Sequence, residues 1–189
     1  MVLYKEISAL SRIVLEADVD NMRKGIFEMG LFDKIFGKKL DEIGAPVTGE
    51  AVPSSDVNDP TFAEEMLGKG MAIKPAAGRV VAPCDATVDM MFETGHAVSL
   101  TTDNGVELLI HVGIDTVNLQ GKHYTVHCAS GDKVKKGQLL IEFDKDAIAA
   151  EGYDTITPVV CCNSDDFATF ETVTGKMVAE GDAVIKLAK

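Results

Sequence analysis

The sequence predicts an all-β fold, an antiparallel sandwich or barrel, on two observations. Nine short runs rich in Val, Ile, Leu, Thr and Tyr follow one another, most of them separated by Gly, Pro or Asp. Helical character inside the body is confined to 62–67 and 146–151, a turn or two each. Neither patch can cover the face of a parallel sheet, which argues against a doubly wound α/β arrangement.

Taken in chain order, residues 1–40 are expected to form an N-terminal extension with amphipathic helical segments. Leu3, Ile7, Leu10 and Val14 share one helical face before Asp18, Asp20 and Asn21 break the period. Met29 opens MGLFDKIFGKK, which reads as an N-terminus in its own right, so residues 1–28 are either a helix or an over-long start. In 31–39, Leu31, Phe32, Ile35 and Phe36 fall together, flanked by Lys34, Lys38 and Lys39. That segment suits a short docked helix or a weak membrane-surface contact, with the lysines against anionic lipid. Residues 41–60 mix Pro, Gly, Ser and acids without a period and are expected to be a flexible linker. The body then runs over 61–189, with strands expected at 71–73, 79–81, 87–92, 98–101, 107–112, 124–128, 139–143, 158–162 and 183–187.

Composition narrows the partners. The formal net charge is −12, and it is uneven: residues 1–40 sum to +1 and residues 41–189 to −13. So acidic a body repels phosphate backbones, which disfavours nucleic acid and favours a basic protein partner. Cys84, Cys128, Cys161 and Cys162 form no CxxC pair, and the reducing cytoplasm is the expected compartment. No apolar run approaches the roughly 18 residues that span a bilayer.

The chemistry points to two of the four histidines. His111 ends the apolar run Val106, Leu108, Leu109, Ile110 and is followed by Val112, Gly113 and Asp115. His96 opens another apolar stretch. Between them Asp103, Asn104 and Gly105 signal a hairpin turn. Counted outward from a turn at 103–104, residues 96 and 111 are directly opposed, which brings two imidazoles into cross-strand contact. Such a pair can carry a phosphoryl group on one ring while the other bonds its oxygens, or ligate zinc if further ligands are supplied. Phosphoryl transfer needs an unprotonated nitrogen, so the other nitrogen of that ring needs an acceptor to fix the tautomer. Backbone around Gly113 is placed to provide it. Thr94 can orient His96 or touch the phosphoryl group, and Asp115 either holds the turn through backbone amides or complements a basic partner.

His123 and His127 are four apart, about 13 Å on a strand, too far to share a metal. Both are read as surface or packing residues. No GxxxxGK[ST] run cradles a nucleotide, and Arg12, Arg23 and Arg79 are the only arginines. A phosphoryl group would therefore arrive on one protein and leave on another. ASGDKV at 129–134 and AEGDAV at 179–184 echo each other in the phrasing of folds that carry lipoyl or biotinyl groups, but Met90 and Met91 have no lysine beside them to carry such an arm.

VELLIHVGIDTVNL at 106–119, TGHA at 94–97, APCDATV at 82–88, GQLLIEFD at 137–144 and TPVVCCN at 157–163 together resemble one known family. It is the glucose-class IIA domain of the bacterial phosphoenolpyruvate-dependent sugar phosphotransferase system. The resemblance covers about residues 59–187 and implies an antiparallel β-sandwich of the duplicated-hybrid (barrel-sandwich) type. It implies that His111 accepts the phosphoryl group on Nε2, with His96 beside it and Thr94 assisting. The implied donor is the histidine-containing phosphocarrier protein. The implied acceptor is a cysteine on the IIB domain of a glucose-class permease for glucose, N-acetylglucosamine, sucrose, trehalose or a β-glucoside. No cofactor is required, although zinc can bridge His96 and His111 to a partner in a regulatory complex. Phe62, Val112 and Val117 are the implied apolar docking ring. Ala86 stands where relatives usually have glycine, and residues 1–28 have no counterpart. A regulatory binding module of the same fold and a zinc-dependent hydrolase on a related scaffold are the alternatives.

Overall fold

The computed structural model describes residues 40–189. The reading of 1–39, including the contact at 31–39, lies outside the described residues. Fourteen strands follow in order: β1 (Asp41–Gly44), β2 (Gly49–Pro53), β3 (Gly70–Pro75), β4 (Arg79–Val81), β5 (Ala86–Met91), β6 (Ala97–Thr102) and β7 (Glu107–His111). Then come β8 (Tyr124–Val126), β9 (Lys133–Val134), β10 (Leu139–Phe143), β11 (Thr157–Cys161), β12 (Thr169–Thr172), β13 (Lys176–Val178) and β14 (Ala183–Ala188). Two short helices interrupt them, α1 (Pro60–Ala63) and α2 (Lys145–Ala150).

All strand pairs are antiparallel. The largest sheet runs β13-β2-β3-β11-β7-β6-β5-β9, and two three-stranded sheets run β1-β14-β12 and β4-β10-β8. The main core draws Ile43, Val80, Leu140, Ile141, Ile185 and Leu187 from the small sheets against Leu100, Leu108 and Ile110 of the large one. That shared interior makes the fold a sandwich. Among the described residues no helix is long and apolar enough to cross a membrane.

The expectation of a linker over 41–60 is corrected. Ile43, Ala45, Val47, Ala51 and Val52 are buried, and β2 is an interior strand between β13 and β3. The glycines that suggested a linker serve close packing. A Cβ on Gly49 would sit 2.1 Å from the Lys74 carbonyl oxygen, so only glycine lets β2 approach β3 so closely there.

The centre of the large sheet is covered on both faces. Along β7, Leu108 and Ile110 enter the main core, while Leu109 packs on a second cluster built from Val52, Val57, Phe62, Ala72, Ile114, Ile156 and Val160. Period-two alternation then puts His111, two residues beyond Leu109, on the face of the second cluster. The sequence echo is structural too. In both turns an aspartate carboxylate, Asp132 or Asp182, accepts from the amide three residues earlier, Ala129 or Ala179, at 2.9 Å.

Candidate functional site

His111 closes β7, flanked by β11 and β6 in the middle of the large sheet. It is half-buried, and its Nδ1 lies 2.7 Å from the Gly113 carbonyl oxygen. A carbonyl only accepts, so Nδ1 carries the proton and Nε2 keeps a bare lone pair. Burial pulls the His111 pKa below its ordinary value, partly opposed by the bond to Gly113 and by Asp59 and Asp115. The ring is therefore neutral at pH 7.

Gly113 makes that contact possible. Its φ of +79° is left-handed, and an added Cβ would meet Thr116 Cγ2 at 2.6 Å and the Asp154 carbonyl oxygen at 2.7 Å. Its amide donates to the Ile156 carbonyl at 3.1 Å, and the next amide, of Ile114, donates to the Asp154 carbonyl at 2.9 Å. The chain is thereby folded back against His111.

The His96 and His111 rings meet edge to face, 4.8 Å between centroids, with an interplanar angle of 78°. His96 is only 5% exposed. Burial, with His111 as a second cause, lowers its pKa to about 4. Thr94 Oγ1 lies 2.5 Å from His96 Nδ1. Phe92 packs against His96 at 5.4 Å between centroids, and Phe62 packs against His111 at 5.3 Å. Phe62 is delivered by α1, which the Asp59 carboxylate caps by accepting from the Thr61 amide at 2.7 Å, with Pro60 in the first turn.

The expected direct opposition of residues 96 and 111 is corrected. The ladder pairs Ala97 with His111 and Val98 with Ile110. Gly105, at φ +79°, adds a third residue to the turn. Thr102 and Val106 close it. His96 lies just outside β6, after Gly95 at φ +66°, and is thus released from strand alternation to reach His111.

Asp115 is exposed and left-handed at φ 59°, and it caps the 3₁₀ turn Thr116–Leu119 without a side-chain bond. Its backbone makes the turn, and its carboxylate is left at the rim. His123 and His127 lie elsewhere, paired with Glu151 at 2.8 Å and Glu142 at 2.6 Å. Among the described residues no group of three or more His, Cys, Asp or Glu side chains is arranged to hold a metal. His96 and His111 supply two ligands at most.

A half-buried, neutral imidazole with a bare nitrogen and a second, buried imidazole against it suits reversible attachment of a small electrophilic group. Residues 41–167 match the family described as phosphoenolpyruvate-dependent sugar phosphotransferase system, EIIA 1. The chain belongs to that family.

It is a glucose-type EIIA component, a phosphotransferase intermediate in sugar uptake. It is 40% identical over 166 residues to the glucose-specific EIIA component of Haemophilus influenzae, covering 85% of this chain and 100% of that one. It is 49% identical over 136 residues to the β-glucoside-specific EIIBCA component of Dickeya chrysanthemi, 71% of this chain but 22% of that longer protein. Its fold matches the glucose permease IIA of Mycoplasma capricolum with a TM-score of 0.74 at 33% identity, over 80% of this chain and 97% of that one.

The docking ring expected around this EIIA site is partly corrected. Val112 is 0% exposed and belongs to the main core, and Phe62 is largely buried beneath His111. Val117, at 49%, is open, and so are Met66 and Leu67 in the turn after α1. Two site residues escaped the sequence reading, Thr116 and Tyr124, whose hydroxyls both donate to the Val112 carbonyl, at 2.6 and 3.1 Å. The VGIDT spacing gives a hint of Thr116, four residues after Val112. Tyr124 is twelve residues away and has no local signal.

Proposed function

We propose that His111 takes the phosphoryl group on Nε2 from the histidine-containing phosphocarrier protein and passes it to a cysteine of a permease IIB domain. The bond from His111 Nδ1–H to the Gly113 carbonyl carries this reading. It leaves Nε2 unprotonated, so attack on phosphorus forms the N–P bond while the donor's own N–P bond breaks, and no proton must leave the nucleophile first. The positive charge that develops on the ring is stabilised where Nδ1–H meets Gly113.

His96 lies beside the incoming group. With the Thr94 hydroxyl donating to its Nδ1, the His96 proton sits on Nε2 and can bond a phosphoryl oxygen. Nearby rings of Phe62 and Phe92 limit water, which protects the labile N–P bond. Positioning and electrostatics supply the catalysis, as expected for phosphoryl transfer.

Two relatives that join EIIA to B and C components, the β-glucoside-specific EIIBCA component of Dickeya chrysanthemi and the mannose-specific EIIBCA component of Corynebacterium glutamicum, support a IIB partner. A basic donor surface suits the acidic body, with Asp59 and Asp115 near His111. The protein works in the cytoplasm, at the inner face of the membrane where the permease presents its IIB domain, and the permease chooses the sugar. Zinc shared with a partner would use the same free His111 nitrogen, so zinc binding and phosphorylation exclude each other.

Incubation with phosphoenolpyruvate, the general phosphotransfer enzyme and the carrier protein tests the reading by intact mass. One acid-labile phosphoryl group, absent from His111→Ala and passed to a IIB domain, is the expected result. No uptake from active donors would overturn it.

A further inference from the structure

The carbonyl of Val112, between His111 and the Gly113 that fixes its tautomer, receives two side-chain hydroxyls. Thr116 Oγ1 donates at 2.6 Å and Tyr124 Oη at 3.1 Å. In a continuing ladder that carbonyl would accept from the amide of His96, since the Val112 amide already donates to the His96 carbonyl at 2.7 Å. The chain turns at Gly95, and the hydroxyls occupy the place instead.

The two peptide planes that follow are each held. The Val112–Gly113 plane is fixed at its carbonyl by Thr116 and Tyr124 and at its amide by the Ile156 carbonyl. The Gly113–Ile114 plane is fixed at its amide by the Asp154 carbonyl and at its oxygen by His111 Nδ1. Glycine rotates freely about the joint between them. Only the anchors keep the Gly113 oxygen on His111, and the hydroxyls are the anchors that belong to side chains. Burial raises the Tyr124 hydroxyl pKa, so it stays a donor across the physiological range.

We propose that Tyr124, together with Thr116, is a positioning residue that sets the His111 tautomer by clamping the Val112 carbonyl. Neither hydroxyl touches the phosphoryl group; both act through the backbone. The inference rests on His111 being the phosphoryl acceptor for its consequence in rate, but not for its consequence in tautomer.

The test is Tyr124→Phe, which keeps the ring stacked on Phe143 at 6.5 Å and removes only the oxygen, with Thr116→Val as the second variant. Two-dimensional ¹⁵N–¹H spectra of the imidazoles report the His111 tautomer and pKa in the unphosphorylated protein. Rapid quench with phosphorylated carrier reports the transfer rate. The Tyr124→Phe variant is expected to lose part of its Nδ1–H population and to transfer about tenfold more slowly, the factor carried by one buried hydrogen bond. Thr116→Val should show the same signature. Wild-type tautomer populations in both variants overturn the proposal, and so does a slower rate with an unchanged tautomer. If His111 in the unaltered protein takes no phosphoryl group, the acceptor reading fails, and the spectra still decide the clamp.

Discussion

His96 reaches His111 although Ala97 is the residue that faces His111 across the ladder. A regular strand through residue 96 would turn its side chain to the face of Val112 instead. Release from the pleat at Gly95 puts one imidazole against another, and burial keeps both uncharged. Two charged rings at that distance would repel strongly in so enclosed a place. Neutrality is therefore the condition on which the pair exists.

Removing the second ring tests its share in the chemistry. His96→Ala should leave the Nδ1–H bond of His111 intact and slow phosphoryl transfer about 10²-fold, the usual loss for one placed donor to developing charge. Rapid quench with phosphorylated carrier measures it. An unchanged rate would assign His96 a packing role only.

Acid should weaken the fold through His96. Its pKa is about 4 folded and about 6.5 unfolded, so the unfolded chain binds the extra proton between those values. The stabilising contribution is complete above pH 6.5 and is lost as pH falls toward 4. Urea midpoints at pH 7.5, 5.5 and 4.5 should decline, and His96→Ala should flatten the part of that decline due to this group. A variant that declines as steeply as the parent would refute the assignment.

Acceptance of the phosphoryl group should tolerate more acid than an ordinary histidine would allow, because burial holds the His111 pKa below its usual value. The rate should fall only at more acid pH, as Nε2 gains a proton. A titration near pH 6.5 or above in the ¹⁵N spectra would contradict this.

Gly113→Ala combines a left-handed φ with two contacts under 3 Å. The expected loss is about 2–4 kcal/mol of stability, read from urea unfolding, together with loss of the Nδ1–H signature of His111. A stability within 0.5 kcal/mol of the parent, about the noise expected for a surface change, would mean that the loop yields easily.

A chain shortened to begin at residue 61 should fail to fold, because β2 would leave β3 without its neighbour and Ile43 would leave the main core. Circular dichroism and proteolysis distinguish this from the outcome expected of a dispensable linker.

Strands were legible where the pattern was strong. Leu139, Leu140, Ile141 and Phe143 read as β10, and Leu108, Leu109 and Ile110 as β7, because apolar runs bounded by glycine have few other uses. Strands β1 and β2 hid behind Gly44, Pro46, Gly49 and Pro53, residues that usually mark loops, although the two glycines here let backbones approach closely. Strands β12 and β13 hid because edge positions such as Glu171 and Met177 are exposed and carry little alternation. The pairing of imidazoles was foreseeable from DNG between two apolar runs, but its register was not. Whether a turn holds two residues or three depends on the φ of Gly105, which composition does not reveal. The hydroxyls on Val112 required the tertiary fold, since Tyr124 belongs to a different sheet from His111.

Asp41 in β1 pairs with Leu187 in β14, so the first and last strands of the described unit are neighbours. A module whose two ends leave side by side can be spliced into a longer polypeptide at a single point, with little demand on the host. Relatives somewhat shorter than this chain and relatives about three times its length fit such portability. Joining Lys189 to Leu40 through a short bridge and opening the chain at the exposed Gly152 turn should yield a circular permutant that folds with the same pair of rings.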